Sequence, residues 1–382
     1  MSTKTEYDVI IIGGGLAGLT ASIMLSGAGK KVLLIEKGSY PSHKVCGEYV
    51  SNEVLPFLKS LGFDPFHYGA SNISRLRIST PSGHSIYTPL DLGAFGLSRY
   101  TFDHGLYELA LKNNAEVLTK RKVTDVIFDG GIFTVKTNSG ESFTAPLVIG
   151  SYGKRDTLDK QLKRDFIQEH TGYLGVKYHI LTDYPVDEIG LDNFEGGYCG
   201  ISRVEDSRYN LCYLYKRKRD AIHKTIPDIQ EHILSRNPVL KNIFSNSQFL
   251  FAKPEVINDF SFAPKSIVQD HILMCGDTAG LITPLCGNGM SMAIHAAKIL
   301  CDLLLRSGAL DGGITSDKRM QLETEYARRW RKNFGKRLFW GRTIQGLFGN
   351  SALSEVAIRS LHAIPPIQRA LISSTHGKLI EV

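Results

Sequence analysis

Cysteine is scarce in this chain: six in 382 residues (Cys46, Cys199, Cys212, Cys275, Cys286 and Cys301), with no CxxC pair and no histidine cluster at zinc-ligand spacing. That excludes a disulfide-stapled secreted scaffold and a zinc site of familiar spacing. Tryptophan is scarcer still, only Trp330 and Trp340. The chain also lacks a clean membrane-spanning run. Val9 to Gly29 carries no charge, but six glycines break it, three of them consecutive at Gly13, Gly14 and Gly15. A strand, a tight turn and a helix explain that stretch better than a span. Glu6 and Asp8 precede it, where a signal peptide would be basic. The expectation is a cytoplasmic protein. Internal repeats and low-complexity linkers are missing too. What remains is ordinary globular material, 42% hydrophobic and 22% charged, long enough for two or so domains. One number stands out, a net charge of +7.

Two kinds of segment alternate. Tyr7–Ile12 and Lys31–Ile35 read as buried parallel strands around a helix from Leu16, a βαβ unit. Alternating β-type sequence fills roughly 73–90 and 172–216, and α/β material returns near Leu147 and again at Ile272–Arg306. In VIIIGGGLAGLTA, Gly13, Gly15 and Gly18 have GxGxxG spacing directly after a strand and at a helix start. Gly13 serves the turn, Gly15 admits a pyrophosphate, and Gly18 lets helix and strand pack closely. Glu36 ends the second strand, where a carboxylate accepts from ribose hydroxyls. This motif alone does not choose between NAD and FAD.

CGDTAGLITPLCGNGMSMAIHAA, Cys275–Ala297, makes that choice. It resembles the late flavin-binding motif of the p-hydroxybenzoate hydroxylase-type superfamily: Gly276-Asp277, Pro284, then Gly287 and Gly289 before a helix. LSRYTFDHGLYELA resembles that family's arginine preceding a helix, at Arg99. KVCGEYVSNEVLPFLKSLG, Lys44–Gly62, looks like the KxCG segment of geranylgeranyl reductases. The resemblance covers most of residues 6–310. It implies an α/β fold, a three-layer Rossmann-type FAD-binding domain interrupted by an antiparallel β-sheet substrate domain, with a helical C-terminus. The implied division is 1–72, 98–170 and 263–310 for FAD, 73–97 and 171–262 for substrate, and 311–382 as a helical basic region.

The implied cofactor contacts are Gly13, Gly15, Leu16, Ala17, Gly18, Glu36, Lys37, Lys44, Cys46, Gly47, Arg99, Val123, Gly276, Asp277, Pro284, Gly287, Asn288, Gly289 and Met290. Cys46 is the one catalytic candidate. FEGGYCGIS resembles the family's GGY strand pair, which implies Gly197 and Tyr198 in the substrate cavity. No metal is implied. The expected activity is FAD-dependent monooxygenation of a hydrophobic, polyketide- or isoprenoid-like substrate through a flavin hydroperoxide. Reduction of a polyprenyl C=C bond is the alternative, and a flavin-bound electron-transfer module a third. Tyr152 stands where the hydroxylases have an Asp-Gly aspartate, so NAD(P)H is only one candidate electron donor. The halogenase WxWxIP signature is absent.

The surplus charge is local. Residues 326–382 carry a net +8 and the rest −1. Seven basic residues between Arg328 and Arg342 interleave with Trp330, Phe334, Leu338, Phe339 and Trp340. That pattern suits the inner membrane surface or an acidic carrier protein, and equally an amphipathic helix capping the core. No nucleic-acid fold accompanies the charge.

Overall fold

The computed structural model describes residues 6–168, 171–217, 222–283, 287–311, 314–348, 351–363 and 377–381. The chain begins with β1 (Val9–Ile12), α1 (Leu16–Gly27), β2 (Val32–Ile35), β3 (Tyr49–Ser51) and α2 (Leu55–Ser60). There follow β4 (Ser71–Ser79), β5 (Ser85–Gly96), α3 (Arg99–Lys112), β6 (Glu116–Leu118), β7 (Val123–Asp129), β8 (Ile132–Thr137), β9 (Ser142–Ala145), β10 (Leu147–Gly150) and α4 (Thr157–Gln161). Next come β11 (Tyr173–Leu181), β12 (Glu188–Phe194), β13 (Gly197–Arg203), β14 (Tyr209–Lys216), α5 (Ile226–His232) and α6 (Pro238–Asn246). Last are β15 (Gln248–Phe249), β16 (Glu255–Asn258), β17 (Val268–Gln269), β18 (Ile272–Met274), α7 (Gly289–Arg306), α8 (Ser316–Phe348) and α9 (Ser351–Ala363).

The first sheet has the order β17-β18-β10-β1-β2-β6 and is parallel except at β17. Its central strands, VIII, VLLI and LVIG, are wholly buried, as continuous apolar runs require. Helix α1 packs on β1 and β2 and against α3 and α7, while the β7-β8-β9 sheet reaches β1 and β10. The result is the expected three-layer α/β unit.

The second sheet runs β15-β11-β14-β13-β12-β4-β5-β3. Its outer face packs Leu174, Val176, Leu211 and Tyr213 against Ile229, Leu240 and Ile243 of α5 and α6. Its inner face is fixed by register. One row crosses the strands as Ile78, Leu191, Gly200, Cys212 and Lys177. The order puts β3 and β11 near opposite ends, yet Glu48, just before β3, bonds Lys177 and His179 of β11. The sheet therefore curls into a trough that faces the first domain.

Two expectations change here. β3 lies within the first nucleotide segment of sequence, but it pairs with β5 in the second sheet. Of the readings weighed for the basic C-terminal stretch, the structure shows the helix that caps the core. Trp330, Phe334 and Leu338, four apart on α8, are buried in the core, and the Trp330 ring lies against Gly280. Phe339 and Trp340 stay exposed. Arg328 and Arg329 pair with Glu325, and Arg337 with Glu53. Among the described residues no helix is long and apolar enough to cross a membrane.

Candidate active site

A cavity of about 810 Å3 runs from the start of α1 to the inner face of the trough. At its nucleotide end, Gly13 turns with φ +98°, and a Cβ there would sit 2.5 Å from the Ser151 carbonyl oxygen. Gly15 caps α1 with no side-chain bond, and a Cβ on it would meet only Arg99 Nη2, at 3.7 Å. The backbone is thus bare toward the cavity, which Leu16 and Ala17 also line. The free N–H groups and dipole of α1 favour an anion there. Gly18 does not line the cavity. A Cβ on it would lie 2.0 Å from the Gly13 oxygen, so its role is the close packing of helix on strand. Glu36 accepts from the Gly14 and Gly38 backbone N–H groups, each at 2.7 Å. It braces the glycine loop as well as facing the cavity, and its remaining lone pairs stay open to a ribose. Lys37 lines the rim, paired with Asp156 at 2.7 Å, and Val123 lies nearby.

The second motif approaches from β18. Gly276 has φ +63° and opens a single turn. Asp277 lines the cavity, and among the described residues its carboxylate has no hydrogen-bond partner. Lys265 donates to the carbonyls of Lys154 and Asp277 and so holds this turn; burial pushes its pKa down to about 8. Gly287 (φ +61°), Asn288, Gly289 and Met290 line the cavity at the start of α7, which has no side-chain cap bond. A second helix N-terminus therefore opens on the same space. Pro284 lies outside the described residues.

Arg99 opens α3 behind its N-cap Ser98. Its Nε and Nη2 bind Asp103 at 2.6 and 2.8 Å, and Lys44 shares that carboxylate at 2.8 Å. Burial would lower the Arg99 pKa, but Asp103 outweighs it, so the cation is fixed beside Gly15. Cys46 is half-buried and Gly47 exposed, and both line the cavity. The Cys46 carbonyl accepts from Asn210 Nδ2 at 3.1 Å. Tyr198 is buried in the cavity wall, with Leu76, Ile78, Leu90, Ile189, Leu191 and Leu214 along the far end. Gly197 is not in that wall. A Cβ there would meet the Leu214 carbonyl oxygen at 2.0 Å and the Phe194 ring, so it serves strand packing.

Sequence reasoning missed a buried group. Glu48 lines the cavity, fully buried, and binds Lys177 and His179, both also fully buried. Burial alone would raise the Glu48 pKa, but Lys177 and His179 outweigh it and hold the carboxyl below the usual range. The glutamate after Cys46-Gly47 was the available signal, but its partners stand 129 and 131 positions away.

A bare glycine loop, two uncapped helix N-termini, an unpartnered aspartate and a fixed cation fit a dinucleotide whose second half is a flavin. The comparisons agree. An FAD binding domain model matches residues 8–47. Digeranylgeranylglycerophospholipid reductase 2 of Methanothermobacter thermautotrophicus is 26% identical over 351 residues, 87% of this chain and 85% of that one. The fold matches p-nitrophenol 4-monooxygenase of Pseudomonas putida with a TM-score of 0.78 and 16% identity, over 99% of this chain and 100% of that one. It also matches a geranylgeranyl bacteriochlorophyll reductase-like protein of Thermoplasma acidophilum, with a TM-score of 0.76 and 18% identity, over 97% and 95%. The protein is an FAD-dependent oxidoreductase. It is similar to both geranylgeranyl reductase-like and monooxygenase-like flavoproteins.

Proposed function

We propose that this protein saturates C=C bonds in a long isoprenoid chain. The observation that carries the reading is the far end of the cavity, where β4, β5 and β12 present Leu76, Ile78, Leu90, Ile189 and Leu191. Such a wall holds a hydrocarbon chain by area alone, about 25 cal/mol per Å2 buried, and gives a small polar ring nothing to orient it. The likeness to an archaeal lipid reductase supports the same substrate class. Bound and reduced, FAD supplies two electrons; with two protons they turn one C=C into CH–CH. The chain's part is to hold the alkene over the ring and keep bulk water out. Cys46 and Tyr198 line the same cavity, and in this reading they bound the reacting segment.

The test is an anaerobic single turnover. Holoprotein reduced with dithionite is mixed with geranylgeraniol, and flavin reoxidation and product mass are followed. Reoxidation with gain of two hydrogens per double bond is expected. Flavin that stays reduced until oxygen enters, with an oxygen atom then found in the product, would establish hydroxylation instead.

We further infer that the substrate is taken from a membrane. Arg331, Lys332 and Lys336 are exposed and make no ion pair among the described residues, and they flank the exposed Phe339 and Trp340 on α8. Leu353 and Val356 of α9 are also exposed. The same helix runs on to Arg342, which donates to the carbonyl of Phe262, close to cavity-lining Phe260. Cations beside aromatic rings suit an anionic lipid surface.

A further inference from the structure

Three glycines of the second sheet are there because nothing larger fits. A Cβ on Gly197 would lie 2.0 Å from the Leu214 carbonyl oxygen, one on Gly190 2.5 Å from the Tyr184 hydroxyl, and one on Gly175 2.9 Å from Ile257 Cγ2. Gly200 is different. A Cβ there would have its nearest contacts at 3.7 Å, to the Cys212 carbonyl oxygen and Leu191 Cδ2, and the backbone is not left-handed. Neither packing nor conformation requires a glycine. In a strand interior glycine costs stability, and it often marks the close approach of a ligand.

Exposure across the sheet points the same way. Apart from Arg203 and Lys216 at strand ends, every residue of β12, β13 and β14 is buried except Leu191, Gly200 and Cys212. These three stand side by side in register, with Ile78 of β4 next in the row. Ile78 is likewise half-buried, and all four line the cavity. They form a furrow across four strands, about 14 Å long at the usual strand spacing. Fully buried Lys177 closes the row beyond Cys212. Tyr198 and Ser202 flank Gly200 on the same face of β13 and are buried. The furrow thus has walls, and its floor at the middle is bare backbone. One end lies beside Cys46, whose carbonyl accepts from Asn210, two residues from Cys212 on β14. The other end is the apolar wall at Leu191 and Ile78.

We propose that Gly200 is the specificity-determining position of this cavity, the gap through which a long hydrocarbon chain passes from the segment held at Cys46 to the apolar wall. The proposal rests on the isoprenoid reading of the site. A chain lying across β13 meets no side chain at the crossing, so its length is limited by the far wall and not by the sheet. A side chain at position 200 would grow into the furrow and cut it in two. A short chain still fits on the Cys212 side of such a barrier, and a long one does not.

The test compares geraniol, with two isoprene units, and geranylgeraniol, with four, on oxidised holoprotein, with binding read from the perturbed flavin absorption. Gly200→Leu should weaken geranylgeraniol at least about tenfold, the worth of two buried CH2 groups, and change geraniol by less than about twofold. FAD affinity should stay within about twofold of the wild type, and the urea midpoint should not fall, because the new side chain enters open cavity. Equal weakening of both alcohols, as a structural role would give, overturns the proposal. So does wild-type binding of both, or a wild-type protein that binds neither. If Gly200→Leu does not fold, Gly200→Ala replaces it, with a loss of about fourfold for geranylgeraniol alone, one CH2 group's worth. An unchanged ratio of the two affinities then overturns the proposal. Anaerobic turnover separates the two readings. If both alcohols leave wild-type flavin reduced, the reductase reading fails, and the binding ratio still decides the role of Gly200.

Discussion

Two glycines three positions apart should fail in opposite ways when changed to alanine. At Gly18 the new Cβ would lie 2.0 Å from the Gly13 carbonyl oxygen and 2.7 Å from Ser151 Oγ. The first of these is backbone, so α1 must lift off β1, and Ser151 loses its 2.7 Å bond to that same oxygen. Overpacking costs about 1–3 kcal/mol, and alanine's better helix propensity returns up to about 1. Because the clash is with backbone, a net loss of about 1–2 kcal/mol is expected. At Gly15 the backbone is extended and the Cβ meets nothing within 3.7 Å, so the apoprotein should be unchanged within about 0.5 kcal/mol. That methyl does fill the space at the start of α1 where a pyrophosphate would rest, and FAD affinity should fall at least about tenfold, or 1.4 kcal/mol. Urea unfolding of the apoproteins and quenching of FAD fluorescence on titration measure the two quantities separately. The reasoning is refuted if Gly15→Ala unfolds as easily as Gly18→Ala while binding FAD like the wild type.

The buried pair across β4 and β12 gives a second expectation. Arg77 binds both oxygens of Asp192, at 2.7 and 2.9 Å, and Asp192 is fully buried. Arg77→Leu strands that charge and should cost about 3–5 kcal/mol in urea unfolding, whereas Arg77→Leu with Asp192→Leu should cost far less. A third concerns acid. Burial, with help from Arg337 and Lys298, pushes the pKa of His295 down to about 4, and its ring sits edge-on to Phe334 of α8. The unfolded chain therefore binds a proton that the folded one refuses, so stability should fall as pH drops from 6.5 towards 4. His295→Phe should flatten that arm of the stability curve; an unchanged arm assigns it to other groups. Finally, the protein should float with anionic liposomes at low salt and lose this when Phe339 and Trp340 are both changed to alanine. Equal flotation by the double variant would remove the α8 contact.

What could be seen in the sequence follows from range. The glycine loop and the Asp277 turn are short, and their function depends on backbone conformation at fixed offsets, so spacing for Gly13 and Gly15, and the family resemblance of its motif for Asp277, pointed to the cavity that all three line. The helix Gly289–Arg306 was legible for the same reason, with Gly308 at φ +65° just past its end. Gly197 was misplaced. It opens β13, where successive residues alternate sides, and its Cβ position faces the Leu214 carbonyl and the Phe194 ring while Tyr198 faces the cavity. Helix α8 posed a false choice. Its apolar residues at 330, 334 and 338 form one face and those at 339 and 340 another, so it can cap the core and still present aromatic rings outward.

Glu48 was illegible for a deeper reason. Its chemistry depends on which residues of β11 stand across from Cys212 and Asn210, and that register is set by a sheet curled through five intervening strands. A lone glutamate after Cys46-Gly47 carries no trace of a lysine and a histidine more than a hundred positions away. The cofactor end of such a site is thus written locally, in glycines and turns. The end that meets the substrate is assembled by strand pairing, and its acids and bases become visible only once the rows across the trough are in register.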